Sequence, residues 1–261
     1  MGHERVGFLP KTRRWNDLVK QMGEMYPSDI PIATIATQTL RIVRKRYETL
    51  SNDEVVKEVF TFLVAFSRAC RFKDAQIQLQ NSGIRMPEQP TLLSVVKALR
   101  ECVPTHEAAS EYGQLAIAAA ADAIGQWHQF HTASQLSLFQ PSANFFESLR
   151  KVGDGSGFCE LARLYFGKLT ERYLNYFLDR AASATFPSIK QREQFQQDIQ
   201  AHIDDVSKHA FETAKITQSF AAGWFNKNTR EKVPDSKEIE GFLAVAFGKL
   251  RDELRREEEA Q

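Results

Sequence analysis

The sequence predicts an all-α protein: a multi-helix bundle of about eight helices, with the long helices in its C-terminal half. Three observations carry this. Apolar residues recur every three or four positions along most of the chain, and no stretch alternates apolar and polar residues as a half-buried strand does. Only 13 Gly and 9 Pro occur in 261 residues, too few for a turn-rich β architecture. Helix-start signals stand before the apolar runs at Thr12, Ser51, Thr91 and Asp235.

Taken in order, residues 1–10 read as an irregular arm ending at Pro10. Thr12 caps a helix from Arg13 to Met25 with Trp15, Leu18, Val19 and Met22 on one face. Tyr26-Pro27-Ser28-Asp29 breaks it. Pro31 suits a first turn, and a helix follows from Ile32 to Leu50. Ser51 and Glu54 form a capping box for a helix to Cys70 that is apolar nearly all round and belongs in the core. A short helix spans Lys73 to Gln80, and Thr91 caps another through Cys102, which Pro104 stops. Glu107 to Phe130 is alanine-rich, with Ala116, Ala119, Ala120 and Ala123 small enough for close helix packing.

Residues 132–157 form a loose connector with a short helix at Ala143–Lys151. Beyond the Gly153-Asp154-Gly155-Ser156-Gly157 run comes the strongest helical pattern of the chain. Phe158, Ala162, Tyr165, Phe166, Leu169, Tyr173, Tyr176 and Phe177 share one face, and Leu164, Leu174 and Leu178 stand among the polar residues opposite. Such a helix is covered on most of its circumference and serves as the central element. A second long helix is expected from Ile189 to about Phe225. Residues 226–234 read as a cationic loop. Asp235 and Glu238 then open a last helix that ends in the solvated tail RDELRREEEAQ. This gives an N-terminal helical region 1–131, a connector 132–157 and a C-terminal bundle 158–261; whether the two regions share one core is not readable from sequence.

Composition narrows the function classes. The formal net charge is +1, so the chain as a whole lacks the basic excess of a nucleic-acid-binding domain. The charge is uneven, with nine Lys/Arg against four Asp/Glu in residues 1–46. Cys70, Cys102 and Cys159 are far apart, with no CxxC, and read as reduced buried thiols of a cytoplasmic protein. No apolar leader opens the chain, the myristoylation pattern fails at Val6, and no apolar run is long enough to span a membrane.

Several residue sets have chemistry-bearing spacing. His202, Asp205 and His209 lie at i, i+3 and i+7 on one helix face, as the ligands of a Zn²⁺ or Fe²⁺ ion would. Arg13 and Arg14 with Trp15, and Arg41, Arg44, Lys45 and Arg46 with Tyr47, form a basic surface with aromatic neighbours that suits phosphate or unstacked bases. Lys227, Arg230 and Lys232 beside Trp224 and Phe225 repeat the pattern on a smaller scale. His128 and His131 end the alanine-rich helix, where the dipole favours them. The glycine run has neither GxGxxG nor GK[ST] spacing, and Asp154 places a negative charge where an anion would sit, so a hinge fits it better than a phosphate loop. Arg180 falls within the aromatic face of the central helix and Glu160 near its start; both are candidates for buried polar groups. Cys159 has apolar neighbours, and no nucleophile–base–acid set is present. No cofactor is expected. The function these observations favour is a non-catalytic helical adaptor, scaffold or regulatory subunit with a protein partner, and self-association is compatible with it. An accessory nucleic-acid-binding protein and a helical metalloenzyme are the alternatives.

Overall fold

The structure is a computed structural model that describes residues 9–103, 111–131, 145–211 and 219–259. The arm 1–8, Pro104 and the expected helix start at Glu107, connector residues 132–144, the stretch 212–218 within the expected second long helix, and residues 260–261 lie outside the described residues, as does the Arg46 side chain.

The described residues form eleven α-helices and two short 3-10 turns, with no strand among them. The helices are α1 Arg13–Met25, α2 Ile32–Thr49, α3 Glu54–Ala69, α4 Ala75–Asn81, α5 Leu92–Cys102 and α6 Glu111–His131. They continue as α7 Phe145–Ser148, α8 Gly155–Thr185, α9 Ile189–Phe211, α10 Phe220–Asn228 and α11 Ser236–Glu259. The all-α class holds, but eleven helices replace the expected eight or so. Part of the excess is the expected Ile189–Phe225 helix. α9 is described to Phe211, and Ser219, with extended backbone, starts a separate α10 by accepting a hydrogen bond from the Ala222 amide at 3.1 Å. Nor are long helices confined to the C-terminal half: α8, α9 and α11 have 31, 23 and 24 residues, but α6 has 21 and α2 has 18.

Local chemistry explains the boundaries. Thr12 accepts from the Trp15 amide at 3.2 Å and starts α1, which buries Trp15, Leu18 and Met22. Asp53, not Ser51, caps α3, accepting from the Val56 amide at 3.0 Å; Ser51 lies in a 3-10 turn and donates to the Glu48 carbonyl instead. Thr91 and Ser94 cap α5 reciprocally. Asp235 and Glu238 do the same for α11: the Glu238 amide donates to Asp235 at 3.0 Å and the Asp235 amide to Glu238 at 2.9 Å.

α8 is the centre of the molecule. It packs against α6, α9, α10, α1, α2 and α3. Leu161, Leu164, Leu174 and Leu178 are buried along with its aromatic face. Close approach on the α6 side comes from Ala116, Ala119, Ala120 and Ala123, all buried. On the α9 side, Gly167 lies so near Ser207 that a Cβ there would sit 3.2 Å from its side chain.

An aromatic cluster fills the space between α3, α8, α10 and α11. Phe158 stacks on Phe225 at 4.0 Å, and Phe60 stacks on Phe242 at 4.8 Å while also facing Tyr165, Phe166 and Trp224. Each buried aromatic of this kind contributes about 1.5–3 kcal/mol of burial, with a further increment from ring pairing. The buried apolar side chains from Trp15 to Leu254 form one contiguous cluster. No helix among the described residues is long and apolar enough to cross a membrane.

The glycine run is neither loop nor hinge. Asp154 is the residue before α8, and Gly155, Ser156 and Gly157 are its first turn. A Cβ on Gly155 would meet the Asn226 side chain at 2.4 Å, and one on Gly157 would meet the Lys151 carbonyl oxygen at 1.9 Å. These glycines let two neighbouring segments close over the start of α8, and the space a phosphate would need is filled. The tail read as solvated is also ordered differently: α11 stays helical to Glu259, Leu254 is buried, and its carbonyl accepts from the Thr37 hydroxyl at 2.9 Å.

Candidate functional site

α9 presents His202 and His209 toward α11. His209 Nδ1 lies 3.1 Å from Glu257 Oε1 and 4.0 Å from Glu253 Oε1. His202 is half-buried and its Nε2 has no hydrogen-bond partner. Burial holds this ring below the ordinary histidine range, and the charges of Glu257 and Asp205 oppose that shift. Asp205 is not part of the gathering at His209. Its side chain is 70% exposed and faces Lys208 at 3.4 Å. The partners of His209 thus come from a helix about fifty residues away, where spacing within α9 gives no sign of them.

Arg41 and Arg44 of α2 meet carboxylates. Arg41 pairs with Glu258 at 2.8 Å and Arg44 with Glu48 at 2.7 Å. Arg251 reaches Glu48 and Asp252 at 3.3 and 3.2 Å, and Arg255 reaches Glu259 at 3.8 Å. These four arginines line a cleft of about 180 Å³ between α2 and α11. Arg13 faces Asp17 at 3.8 Å across exposed surface, and Arg14 and Lys45 are exposed. Lys45 borders a shallow depression with Lys11, Thr12 and Ile42, so the two basic stretches adjoin.

The polar groups of α8 divide differently from expectation. Arg180 is exposed, not buried. Its guanidinium lies over the Tyr176 ring at 4.6 Å and donates to the Tyr176 hydroxyl at 3.2 Å, so the long side chain runs along the aromatic face and out to water. The buried arginine is Arg163, 5% exposed, which donates to Asp204 on α9 at 3.0 Å. Asp204 also faces Lys208 at 3.2 Å. Nearby, Gln126, Lys168, Glu171, Gln197, Gln200 and Asp204, with Leu164, Ala201 and Ile203, line a cavity of about 300 Å³. Lys168 and Glu171 close on each other at 2.9 Å within it.

Glu160 is partly buried and faces His131 Nε2 at 3.0 Å, while His131 Nδ1 lies 3.0 Å from the Trp127 carbonyl and its ring stacks on Trp127 at 4.2 Å. The contact ties α6 to α8. Cys159 is a packed thiol: it accepts from the Ser219 hydroxyl at 3.0 Å and lies 3.7 Å from the Phe211 carbonyl.

His128 is 7% exposed, and burial holds its imidazole below the ordinary range. A folded-state pKa below the unfolded one means that the unfolded chain takes up its proton first as pH falls through about 6.5. The stability this ring contributes is complete above that pH and is lost as pH falls toward the lowered folded value. His128→Phe is therefore expected to flatten the acid side of the stability–pH curve, where one group gives a slope of at most ~1.4 kcal/mol per pH unit. Denaturant titrations between pH 7.5 and 5.5 measure this; an unchanged slope in the variant would contradict it.

A groove of about 800 Å³ runs between α3, α4, the end of α5 and the α10–α11 loop. Phe62, Ala65 and Ile84 lie along its floor, all buried in the core. Glu58, Glu101 and Glu231 stand around it with Lys232 and Arg68. Arg68 is committed to the loop, donating to the Thr229 and Glu231 carbonyls at 3.1 and 2.8 Å. Cys102 opens onto the same groove, its thiol pushed up by burial and by the charges of Glu101 and Glu58. No local sequence signal marks this groove, because it is assembled from four separated segments that each read as ordinary helix or loop. No family model, no curated protein and no solved structure matches the chain.

Proposed function

We propose that the chain is a non-catalytic helical component of a cytoplasmic protein assembly, and that the α3–α5 groove receives an apolar, basic-flanked segment of a protein partner. The groove itself carries this reading. It combines buried apolar side chains with three lining carboxylates against two lining cations, of which Arg68 is held by loop carbonyls, and its size is that of a site for a few side chains. The free thiols of Cys70, Cys102 and Cys159 fit a reducing compartment.

Nucleic acid is the weaker reading. The arginines of the α2–α11 cleft each face a carboxylate, which cancels much of the field that phosphate binding draws on.

The test uses rim substitutions that leave the core intact. Thr61→Arg with Glu101→Arg places two cations where the proposal needs carboxylates and open space. Cross-linked complexes are isolated from the native host with the tagged full chain and with this variant. The proposal expects a protein recovered by the wild type to fall at least tenfold in the variant at equal thermal stability. Recovery of the same proteins by both forms would reject the groove.

A further inference from the structure

We propose that His209, Glu253 and Glu257 bind a divalent first-row transition ion, Zn²⁺ by preference, at the contact between α9 and α11. One ligand atom from each side chain lies within 4.8 Å of the other two. A tetrahedral ion with bonds of about 2.0–2.2 Å holds its ligand atoms roughly 3.3–3.6 Å apart. The His209 Nδ1 separations of 3.1 Å to Glu257 and 4.0 Å to Glu253 bracket that value, so small side-chain rotations suffice.

The site is more than two acidic residues on one helix. Glu253 and Glu257 are one turn apart and project from the same side of α11. Between them Leu254 is buried and its carbonyl is held by Thr37 on α2, which fixes the backbone that carries both. Arg256 holds Glu253 Oε2 at 3.0 Å and leaves Oε1 turned to His209. Two carboxylates then converge on one imidazole nitrogen. A single N–H there satisfies one of them, whereas a dication satisfies both.

The imidazole among these ligands suits Zn²⁺ or Fe²⁺ better than Ca²⁺ or Mg²⁺, and three protein donors leave the fourth position of a tetrahedral ion to water. His202, two turns earlier on the same face of α9, stands outside this group of ligand atoms. The His209 side chain is 59% exposed against 15% for Glu253 and 32% for Glu257, so the ion enters from the His209 side onto a sheltered floor. This proposal stands apart from the groove, which lies on other helices.

The test is direct metal binding by the untagged full chain. Chelator-treated protein is titrated calorimetrically with Zn²⁺, and the dialysed protein is assayed for metal by elemental analysis. One equivalent of Zn²⁺ is expected, with a rise in Tm. His209→Gln and Glu257→Gln are each expected to weaken binding at least tenfold. Asp205→Asn, on the same helix but turned to solvent, is expected to bind as the wild type does. Absence of retained Zn²⁺ would overturn the proposal, and so would equal binding by His209→Gln and Glu257→Gln.

Discussion

Phe60→Ala is expected to destabilise the protein by about 3–5 kcal/mol, with a fall in Tm of roughly 10 °C. Phe60 is fully buried and its ring faces Phe158, Tyr165, Phe166, Trp224 and Phe242. Those residues belong to α8, α10 and α11, so one ring from α3 joins four helices. Truncation removes the transfer energy of the ring and leaves a cavity that the surrounding aromatics, themselves held in place by their neighbours, cannot close. Phe72, 37% exposed and lying under Arg68, is the control: its truncation is expected to change stability by less than about 1 kcal/mol. Chemical denaturation of both variants settles the comparison, and equal losses would contradict the aromatic centre described above.

Gly157→Ala is the second large effect. The added methyl would sit 1.9 Å from the Lys151 carbonyl oxygen and 2.7 Å from its carbon, and the obstacle is backbone that cannot rotate away. The 3-10 turn Arg150–Gly153 must move off α8, and a loss of about 1–3 kcal/mol or more is expected. Gly248 in α11 gives the opposite sign. Nothing lies within 4 Å of a Cβ there, so Gly248→Ala is expected to stabilise by about 0.4–1 kcal/mol through helix propensity and a stiffer unfolded chain. Equal effects at the two positions would mean that the start of α8 is not closed as described.

The regular parts of the fold are legible because their signals are local. Thr12 and Thr91 mark the starts of α1 and α5, and the first residues of both helices follow directly from them. The central place of α8 was readable in the leucines scattered through its polar face, since a helix with a solvent side does not need them. What failed was non-local. Asp53 displaced Ser51 as the α3 cap because both are competent acceptors, and only the path of the chain decides between them. Arg163 lies on the side of α8 opposite its aromatic face, yet it is buried and pairs with Asp204 of α9. Arg180, on the aromatic face, escaped burial because its side chain is long enough to follow that face outward over Tyr176.

The candidate sites were less legible for the same reason. His209 was visible in the sequence, but Glu253 and Glu257 lay within a run that reads as solvated charge, and helix packing alone brings them to His209. The groove is likewise a product of the arrangement: Phe62 and Ala65 read as core, and they are core, but one edge of that core is left open between α4, α5 and the α10–α11 loop.

The groove is tested most directly by a photo-cross-linking residue placed at position 61, compared with one at exposed Lys20 on α1, in the full chain expressed in its native host. The expected result is a single dominant protein adduct from position 61, absent from position 20 and abolished by Glu101→Arg. The contradicting result is the same adducts from both positions, or none from position 61 while the chain is folded and expressed.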